Sequence, residues 1–162
     1  MTTGLPRVGL GFDSHTFGAA RPLRLAGVVI PHDTGLTGHS DGDAVAHAVT
    51  DALLGAAALG DIGQLFPDTD ARWRGADSMV LLETAYARVR AAGFAVVNVD
   101  VTVIAQRPRL APHVPAMRER LAGTLGVAVD AVSIKGKTNE GMDAIGRGEG
   151  LQVFAVAAVA RS

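Results

Sequence analysis

The stretch Gly38-His39-Ser40-Asp41-Gly42-Asp43-Ala44-Val45-Ala46-His47 predicts the start of the helix around which the rest of the chain is organised. Ser40 is followed three residues later by Asp43 and then by an apolar periodic run, which is typical of a capping box. We expect this helix to end near Gly55 or Gly60. Its predicted buried stripe contains Val45, Val49 and Leu53.

A second face of the same helix carries ionisable side chains. Asp43, His47 and Asp51 follow one another at i, i+4 spacing, so they stack on one side of the helix. An imidazole between two carboxylates suits a metal ligand or a proton carrier. The same spacing also fits a half-buried histidine that hydrogen-bonds within its own helix, so both interpretations stay open at this point.

Length and composition favour one globular domain over residues 1–162. Of the 162 residues, 48% are hydrophobic and 19% are charged, and a chain of this size buries a full core. The formal net charge is −1, so no basic field suggests nucleic acid as a partner. The chain has no cysteine, which excludes disulfides and thiolate zinc sites and leaves His, Asp and Glu as metal ligands.

The hydropathy pattern gives no indication of a membrane partner. The longest apolar run, Val153 to Ala160, is too short to span a bilayer. The N-terminus lacks the charged start and the apolar core of a signal peptide. We therefore expect a cytoplasmic protein.

The first strand is predicted near the N-terminus. Residues 7–12 alternate between apolar side chains and glycine, the period of a half-buried strand. The same period places Asp13 and His15 on one side at the strand's end, where residues i and i+2 share a face and can bind one ion. An alternative is a loop in which Asp13 caps a turn and His15 is solvated.

The remaining pattern alternates strands with helices, which indicates an α/β or α+β domain of two layers. Residues 60–70 are rich in glycine and carboxylates and are expected to form an irregular loop, either simply solvated or functional. The last strand, residues 151–160, is apolar on both faces, as in a strand that is covered on two sides. The other predicted elements are a hairpin over 22–31, a helix from Asp77 or Ser78 to Gly93, a strand over 97–105, a helix ending at Gly126 and a strand over 132–137.

Three of these residues together suggest a metal site. Asp13, His15 and His47 supply one carboxylate and two imidazoles, which is the ligand set of a zinc-type site with an open fourth position. An open position is typical of catalysis or of substrate anchoring. The alternating glycines of residues 146–150 suggest a phosphate-binding loop, although they fit neither the P-loop nor the dinucleotide pattern.

Motifs in one unbroken register cover nearly the whole chain. They are Phe12-Asp13-Ser14-His15, His39-Ser40-Asp41-Gly42-Asp43 with His47, residues 51–55, 60–63 and 66–70, residues 100–102 with 105–106, Lys135 to Thr138 with Glu140, and residues 146–150. Together they resemble the 2-C-methyl-D-erythritol 2,4-cyclodiphosphate synthase family of the non-mevalonate isoprenoid pathway.

The resemblance implies an α/β (α+β) fold, with one two-layer domain over residues 1–162. Such a domain has a four-stranded mixed sheet, a small hairpin and helices on one face. The family forms homotrimers in which the sheets face one another around a central axis and the active sites lie between subunits. That assembly gives a reason for the two apolar faces of the last strand.

The resemblance also implies two metal ions. Asp13, His15 and His47 bind Zn²⁺ (or Mn²⁺ or Co²⁺), whose open position is taken by a diphosphate oxygen of the substrate. Glu140 reaches a second ion, Mg²⁺ or Mn²⁺, which bridges the two phosphates of the diphosphate.

The other implied roles concern a cytidine diphosphate substrate. In the implied reaction, the 2-phosphate of 4-diphosphocytidyl-2-C-methyl-D-erythritol 2-phosphate attacks the β-phosphorus and expels CMP, so the enzyme is a phosphorus–oxygen lyase. Catalysis then consists of bringing two anions together in line. The implied transition-state stabilisers are His39 and Thr138. The implied substrate-binding residues are Ser40, Asp61, Ile62, Gly63, Phe66, Pro67, Asp68, Thr69, Asp70, Ala105, Gln106, Arg107, Pro108, Arg109, Leu110, Ala111, Lys137, Asn139, Ala144 and Arg147.

Two positions depart from the family pattern. Asp143-Ala144 stands where glycine and an aromatic residue are common, which affects the implied central cavity where an isoprenoid diphosphate binds beside Arg147. Lys137 stands where threonine is common, and it adds a positive charge near the nucleotide phosphates.

Two other functions remain open on the residues alone. A metal-dependent phosphohydrolase would use the same three ligands to activate water and would release a linear product. A non-catalytic trimer with a structural metal would need a fourth protein ligand, for which His32 and His113 are the candidates.

Overall fold

The computed structural model describes residues 4–162 as seven strands and five helices, with short 3₁₀ turns between them. The strands are β1 (Arg7–Ala19), β2 (Leu23–Leu25), β3 (Val28–Ile30), β4 (Gly35–Leu36), β5 (Phe94–Ile104), β6 (Val132–Lys137) and β7 (Gly150–Arg161). The helices are α1 (Ala44–Ala57), α2 (Ile62–Leu65), α3 (Ser78–Ala91), α4 (Val114–Leu125) and α5 (Asp143–Gly146).

The predicted mixed sheet and the separate hairpin are both present. The sheet has the order β4-β1-β7-β5-β6, in which only the β5–β6 pair is parallel, and β2 pairs with β3 in the hairpin. The predicted count of four strands was wrong by one short edge strand. Strand β1 does not end at Asp13 and His15 but continues to Ala19, and this extension pairs Phe17 with Leu36 of β4.

The alternation of β1 decides how closely α1 packs on the sheet. Gly9 and Gly11 face α1, and a Cβ atom at Gly11 would overlap the carbonyl oxygen of Ala48. The glycine face is therefore the buried one, because only residues without a side chain leave room for the helix backbone.

The start of α1 differs from the predicted capping box. Asp43 itself is the N-cap residue, and its carboxylate accepts the backbone N–H of Ala46. Ser40 lies upstream of the helix, and its hydroxyl contacts the His47 and Ser78 side chains. The helix ends at Ala57, close to the predicted Gly55, and the following Ala58 has the left-handed conformation (φ 58°).

The apolar periodicity of the sequence predicts an inner stripe in each of the two other long helices, and every predicted stripe residue is buried except Val114 of α4, which is half-buried. Asp77 caps α3, and Gly126, with φ 63°, ends α4. The segment 60–70, predicted as an irregular loop, contains the short helix α2, because the Asp61 carboxylate caps it by accepting the backbone N–H of Gln64. The buried stripe residues are Met79, Leu82, Tyr86 and Val89 in α3, and Met117, Leu121 and Leu125 in α4.

One face of the central strands remains uncovered in the single chain. The inward side chains of β7 are fully buried beneath the helices, whereas Phe154 and Val156 on its other face are 39% and 40% exposed. Rings Phe12 and Phe154 lie 5.0 Å apart across β1 and β7. We call this apolar surface the outer patch; its members are Val8, Leu10, Phe12, Phe154 and Val156.

A search of residues 4–162 for a helix long and apolar enough to cross a bilayer finds none.

Candidate metal and substrate site

The three predicted ligands converge on one point. The Oδ2 atom of Asp13 lies 2.8 Å from Nε2 of His15 and 3.0 Å from Nδ1 of His47. The two imidazole nitrogens are 3.3 Å apart. All three residues are half-buried, and within residues 4–162 they are the one such cluster of His, Asp and Glu side chains.

The packing of α1 on β1 brings the three residues together. Asp13 and His15 follow Gly11 by two and four residues, so they lie on the same face of β1 as Gly9 and Gly11. His47 lies in the first turn of α1. Because the glycines let α1 approach closely, the imidazole of His47 reaches the carboxylate of Asp13.

The geometry fits a divalent metal ion. Ligand atoms about 2.0–2.1 Å from a tetrahedral ion stand about 3.3–3.4 Å apart, and the three atoms here are separated by 2.8–3.3 Å. Nδ1 of His15 is 2.6 Å from the carbonyl oxygen of Thr37. Because a carbonyl only accepts, the His15 proton sits on Nδ1, and the Nε2 lone pair faces the cluster.

The electrostatics of the cluster favour a charged Asp13. Burial opposes ionisation of its carboxyl group, but hydrogen bonds and charge from His15 and His47 lower the pKa of Asp13 below its usual value. Burial likewise opposes protonation of His15, yet the hydrogen bond to Asp13 and its charge raise the pKa of that ring. The cluster therefore presents a negative oxygen between two imidazoles, as a cation requires.

The carboxylates on the helix of His47 have other roles than the predicted one. Asp43 is fully buried and accepts backbone N–H bonds from Ala26 at 2.9 Å, Gly27 at 2.7 Å and Ala46 at 3.0 Å. Burial raises the pKa of Asp43 against these three bonds. The side chain thus joins the hairpin turn to the start of α1, and the carboxylate beside His47 is that of Asp13 in β1, whose Oδ2 atom lies 3.0 Å from Nδ1.

Asp51, one turn after His47, has its own partner as well. Its Oδ1 atom accepts the backbone N–H of Ile62 at 2.7 Å, and burial raises the pKa of its carboxyl group. This bond holds the start of α2 against α1.

The metal cluster opens into a cavity of about 360 Å³. Nε2 of His39 is buried and has no hydrogen-bond partner within residues 4–162. The cavity thus brings some of the implied substrate-binding residues to the metal ligands. Its lining consists of Asp13, His15, His39, Ser40, His47, Ile62, Gly63, Phe66, Pro67, Asp68, Trp73 and Leu81.

A second cavity, of about 810 Å³, contains the other group of implied substrate-binding residues. It lies between the loop after β5 and the end of β6, and it shares no lining residue with the first cavity. Four basic side chains in its lining suit a phosphorylated ligand. Its lining consists of residues 105–111, Val114 and residues 134–138, with the basic residues Arg107, Arg109, Lys135 and Lys137.

Several of the implied site residues line neither cavity. Asp61 caps α2, and Asp70 caps a 3₁₀ turn and pairs with Arg72 at 2.6 Å. Glu140 is exposed in a left-handed conformation (φ 51°). The others are Thr69, Asn139, which hydrogen-bonds to Met142 and Asp143, Ala144, and Arg147, which pairs with Glu149.

Some residues at the site were missed in the sequence. Trp73 and Leu81 line the metal cavity, and the Trp73 ring meets Phe66 edge-on with 5.0 Å between centroids. The sequence predicts Ser78 only as a possible start of a helix, but its hydroxyl lies 2.8 Å from Nε2 of His47. No local pattern indicates this contact, because it joins two helices that are distant in the chain.

The proposed fourth ligands are not part of the cluster. His32 stacks on Phe17 with 4.4 Å between ring centroids, and its Nδ1 atom lies 2.9 Å from the carbonyl oxygen of Thr34. His113 lies in a 3₁₀ turn before α4. Within the described chain neither completes the site, which speaks against a purely structural metal.

An α+β fold with three metal ligands open to a cavity defines the class of metal-dependent enzymes. The model of the YgbB family matches residues 6–160, and the chain belongs to this family. A 2-C-methyl-D-erythritol 2,4-cyclodiphosphate synthase of Gemmatimonas aurantiaca is 61% identical over 155 residues, which cover 96% of this chain and 93% of that protein. The resemblance seen in the sequence motifs is thus confirmed.

Solved structures agree with this assignment. The bifunctional IspDF from Campylobacter jejuni has a TM-score of 0.95 and 46% identity; the match covers 98% of this chain, which spans 43% of that longer one. A CDP-bound form of 2C-methyl-D-erythritol-2,4-cyclodiphosphate synthase has a TM-score of 0.87 and 42% identity, with 94% of this chain and 99% of that chain covered.

Proposed function

We propose that this protein converts 4-diphosphocytidyl-2-C-methyl-D-erythritol 2-phosphate into 2-C-methyl-D-erythritol 2,4-cyclodiphosphate and CMP. The observation that carries the proposal is the convergence of Asp13, His15 and His47 beside a cavity of about 360 Å³. The 61% identity to a relative of that name supports the same activity. The reaction belongs to isoprenoid biosynthesis by the non-mevalonate pathway.

The proposed cofactors are two divalent metal ions. Asp13, His15 and His47 hold Zn²⁺ (or Mn²⁺ or Co²⁺), since imidazole nitrogens suit these ions. Glu140 serves Mg²⁺ or Mn²⁺, because a lone carboxylate is a hard oxygen ligand that leaves most positions to phosphates and water. When bound, the ions neutralise the diphosphate and polarise its phosphorus–oxygen bonds.

The protein's own groups orient the two reacting phosphates. His39, which lines the cavity beside the metal ligands, and Thr138 stabilise the charge that develops during the attack. Ser40 contacts the methylerythritol phosphate of the substrate, and Asp61 and Gly63 contact its ribose. Residues 105–111, Lys137 and Thr138 surround the cytosine and its phosphate, and they line the second cavity.

The proposed assembly is a homotrimer with active sites between subunits. The outer patch supports it, since three of its side chains, Val8, Leu10 and Phe12, are 67%, 66% and 47% exposed in the single chain, and a soluble surface rarely leaves such a patch uncovered. A trimer also gives a reason for two separate cavities in one chain. The cavity beside the metal ligands of one subunit can lie next to the second, basic cavity of the neighbouring subunit.

Two further proposals follow from the same assignment. Residues 1–162 act as one domain in the cytoplasm. An isoprenoid diphosphate binds in the central cavity of the trimer beside Arg147.

The test is phosphorus NMR of the products. Incubation of the protein with the cytidine substrate, Zn²⁺ and Mg²⁺ is expected to give CMP and a cyclic diphosphate in equal amounts. A linear phosphate product would instead identify a metal-dependent phosphohydrolase. No turnover with either metal would contradict both functions.

A further inference from the structure

His47 has a second set of contacts on the side away from the metal cluster. Its Nε2 atom lies 2.8 Å from the hydroxyl oxygen of Ser78 and 3.0 Å from that of Ser40. The two hydroxyl oxygens are 3.2 Å apart. Ser78 is fully buried, so no water competes for these bonds.

The Ser78 hydroxyl has a single proton, and this proton has one acceptor. It is donated to Oδ1 of Asp41. The same carboxylate accepts the backbone N–H groups of Asp43 at 3.1 Å and Ser78 at 3.2 Å. A carboxylate only accepts, and a serine hydroxyl has a single proton. If that proton pointed to His47, two oxygens in close contact would face each other without a proton between them.

The tautomer of His47 follows from this bond. Because Ser78 gives its proton to Asp41, its oxygen must accept from the imidazole, so the His47 proton sits on Nε2. The lone pair then lies on Nδ1, the atom that stands 3.0 Å from Asp13 and 3.3 Å from Nε2 of His15. The opposite tautomer would place a proton where the metal ion belongs.

Backbone bonds hold Ser78 in place for this role. The Asp41 N–H donates to the carbonyl of Ala76 at 3.1 Å, and the Gly75 N–H donates to the carbonyl of His39 at 2.8 Å. The start of α3 is thus joined to the loop that precedes α1, and Ser78 cannot move away from His47 without breaking these bonds.

We infer that Ser78 and Asp41 are positioning residues of the metal site: Asp41 holds the Ser78 hydroxyl, and Ser78 fixes the ring and tautomer of His47 so that Nδ1 binds the metal. This inference rests on the proposed metal site. Outer partners of ligating histidines contribute about 10–100-fold in metal affinity.

Zinc competition against a chelator tests the inference. We expect Ser78→Ala to weaken zinc binding by about 10-fold or more, with Thr84→Ala as the matched control. Thr84 lies on the same helix, and its hydroxyl bonds only to the helix carbonyl of Val80. Equal zinc affinity in Ser78→Ala and the wild type would overturn the inference, whereas a wild type that binds no zinc would overturn the metal site itself.

A double-mutant cycle and NMR separate positioning from general stability. If Asp41 acts through Ser78, Asp41→Asn weakens zinc binding in the wild type but adds little in the Ser78→Ala background. In zinc-loaded protein labelled with ¹⁵N-histidine, we expect the His47 proton on Nε2, in slow exchange with water, and faster exchange in Ser78→Ala. Additive losses of zinc affinity in the double-mutant cycle, or zinc bound at Nε2 of His47, would contradict the inference. Circular dichroism verifies that each variant is folded.

Discussion

Gly11 of β1 lies directly against the backbone of Ala48 in α1, with no space for a side chain between them. This contact joins the fold to the metal site, because His47 precedes Ala48 and Asp13 follows Gly11 by two residues on the same face of β1. The separation of sheet and helix therefore sets the distance between two metal ligands.

Gly11→Ala should both destabilise the protein and weaken the metal site. The added Cβ atom would collide with the Ala48 carbonyl oxygen, and overpacking of this kind costs about 1–3 kcal/mol. Urea unfolding measures the loss, and zinc competition measures the affinity. Gly55→Ala is the control on α1, since a Cβ there meets no atom, and it should stabilise the helix by about 0.5–1 kcal/mol. A Gly11→Ala protein as stable as the wild type would contradict the packing argument.

His47→Ala should remove the zinc ion and most of the activity while the fold persists. One of three protein ligands is lost, so we expect zinc affinity to fall by more than the roughly 100-fold limit seen for outer partners. Because the buried stripe of α1 is unchanged, circular dichroism should show the helix content of the wild type. Metal analysis of the purified variant measures how much zinc it retains. His113→Ala, which removes a histidine outside the cluster, should keep its zinc; loss of zinc there would revive the four-ligand structural site.

The outer patch should be the trimer interface. Sedimentation equilibrium of the wild type is expected to give three times the chain mass. Leu10→Glu places a charge in the middle of the patch, where the side chain is 66% exposed in the single chain, and should shift the mass towards that of a monomer. Val80→Glu changes an equally apolar residue on α3, 54% exposed and outside the patch, and should stay trimeric. A wild-type monomer would contradict both the assembly and the shared active site.

Glu140→Gln should separate the two metal ions. Zinc should remain at the three-ligand cluster, while CMP release at limiting Mg²⁺ slows by about 10-fold or more, since the diphosphate loses part of its charge neutralisation. High Mg²⁺ should restore part of the rate, because phosphate oxygens supply most ligands of that ion. Glu119→Gln, on α4, is the control and should be unaffected. Unchanged turnover of Glu140→Gln at limiting Mg²⁺ would show that Glu140 binds no metal.

Local patterns in the sequence were enough to predict most of the elements. Strand β6 was predicted with its observed bounds, and the stripes of α3 and α4 are buried as expected apart from Val114, which is half-buried. Periodicity succeeds here because each pattern reports which side of one element is apolar, and this is a property of neighbouring residues. For the same reason the spacing of Asp13 and His15 was enough to predict that both side chains lie on one side, since residues i and i+2 share a face of a strand.

Tertiary packing decided the rest. The sequence could not show that the glycine face of β1 is the buried one, because that depends on the backbone of α1 lying against it. Nor could it show that the Asp43 carboxylate accepts the backbone N–H of Ala26 in the hairpin turn, while the Asp13 carboxylate lies beside His47. The bond between His47 and Ser78 joins residues 31 positions apart. The sequence by itself determined the ligand types, whereas the separation of those ligands arises from contacts between distant segments, which local periodicity does not report.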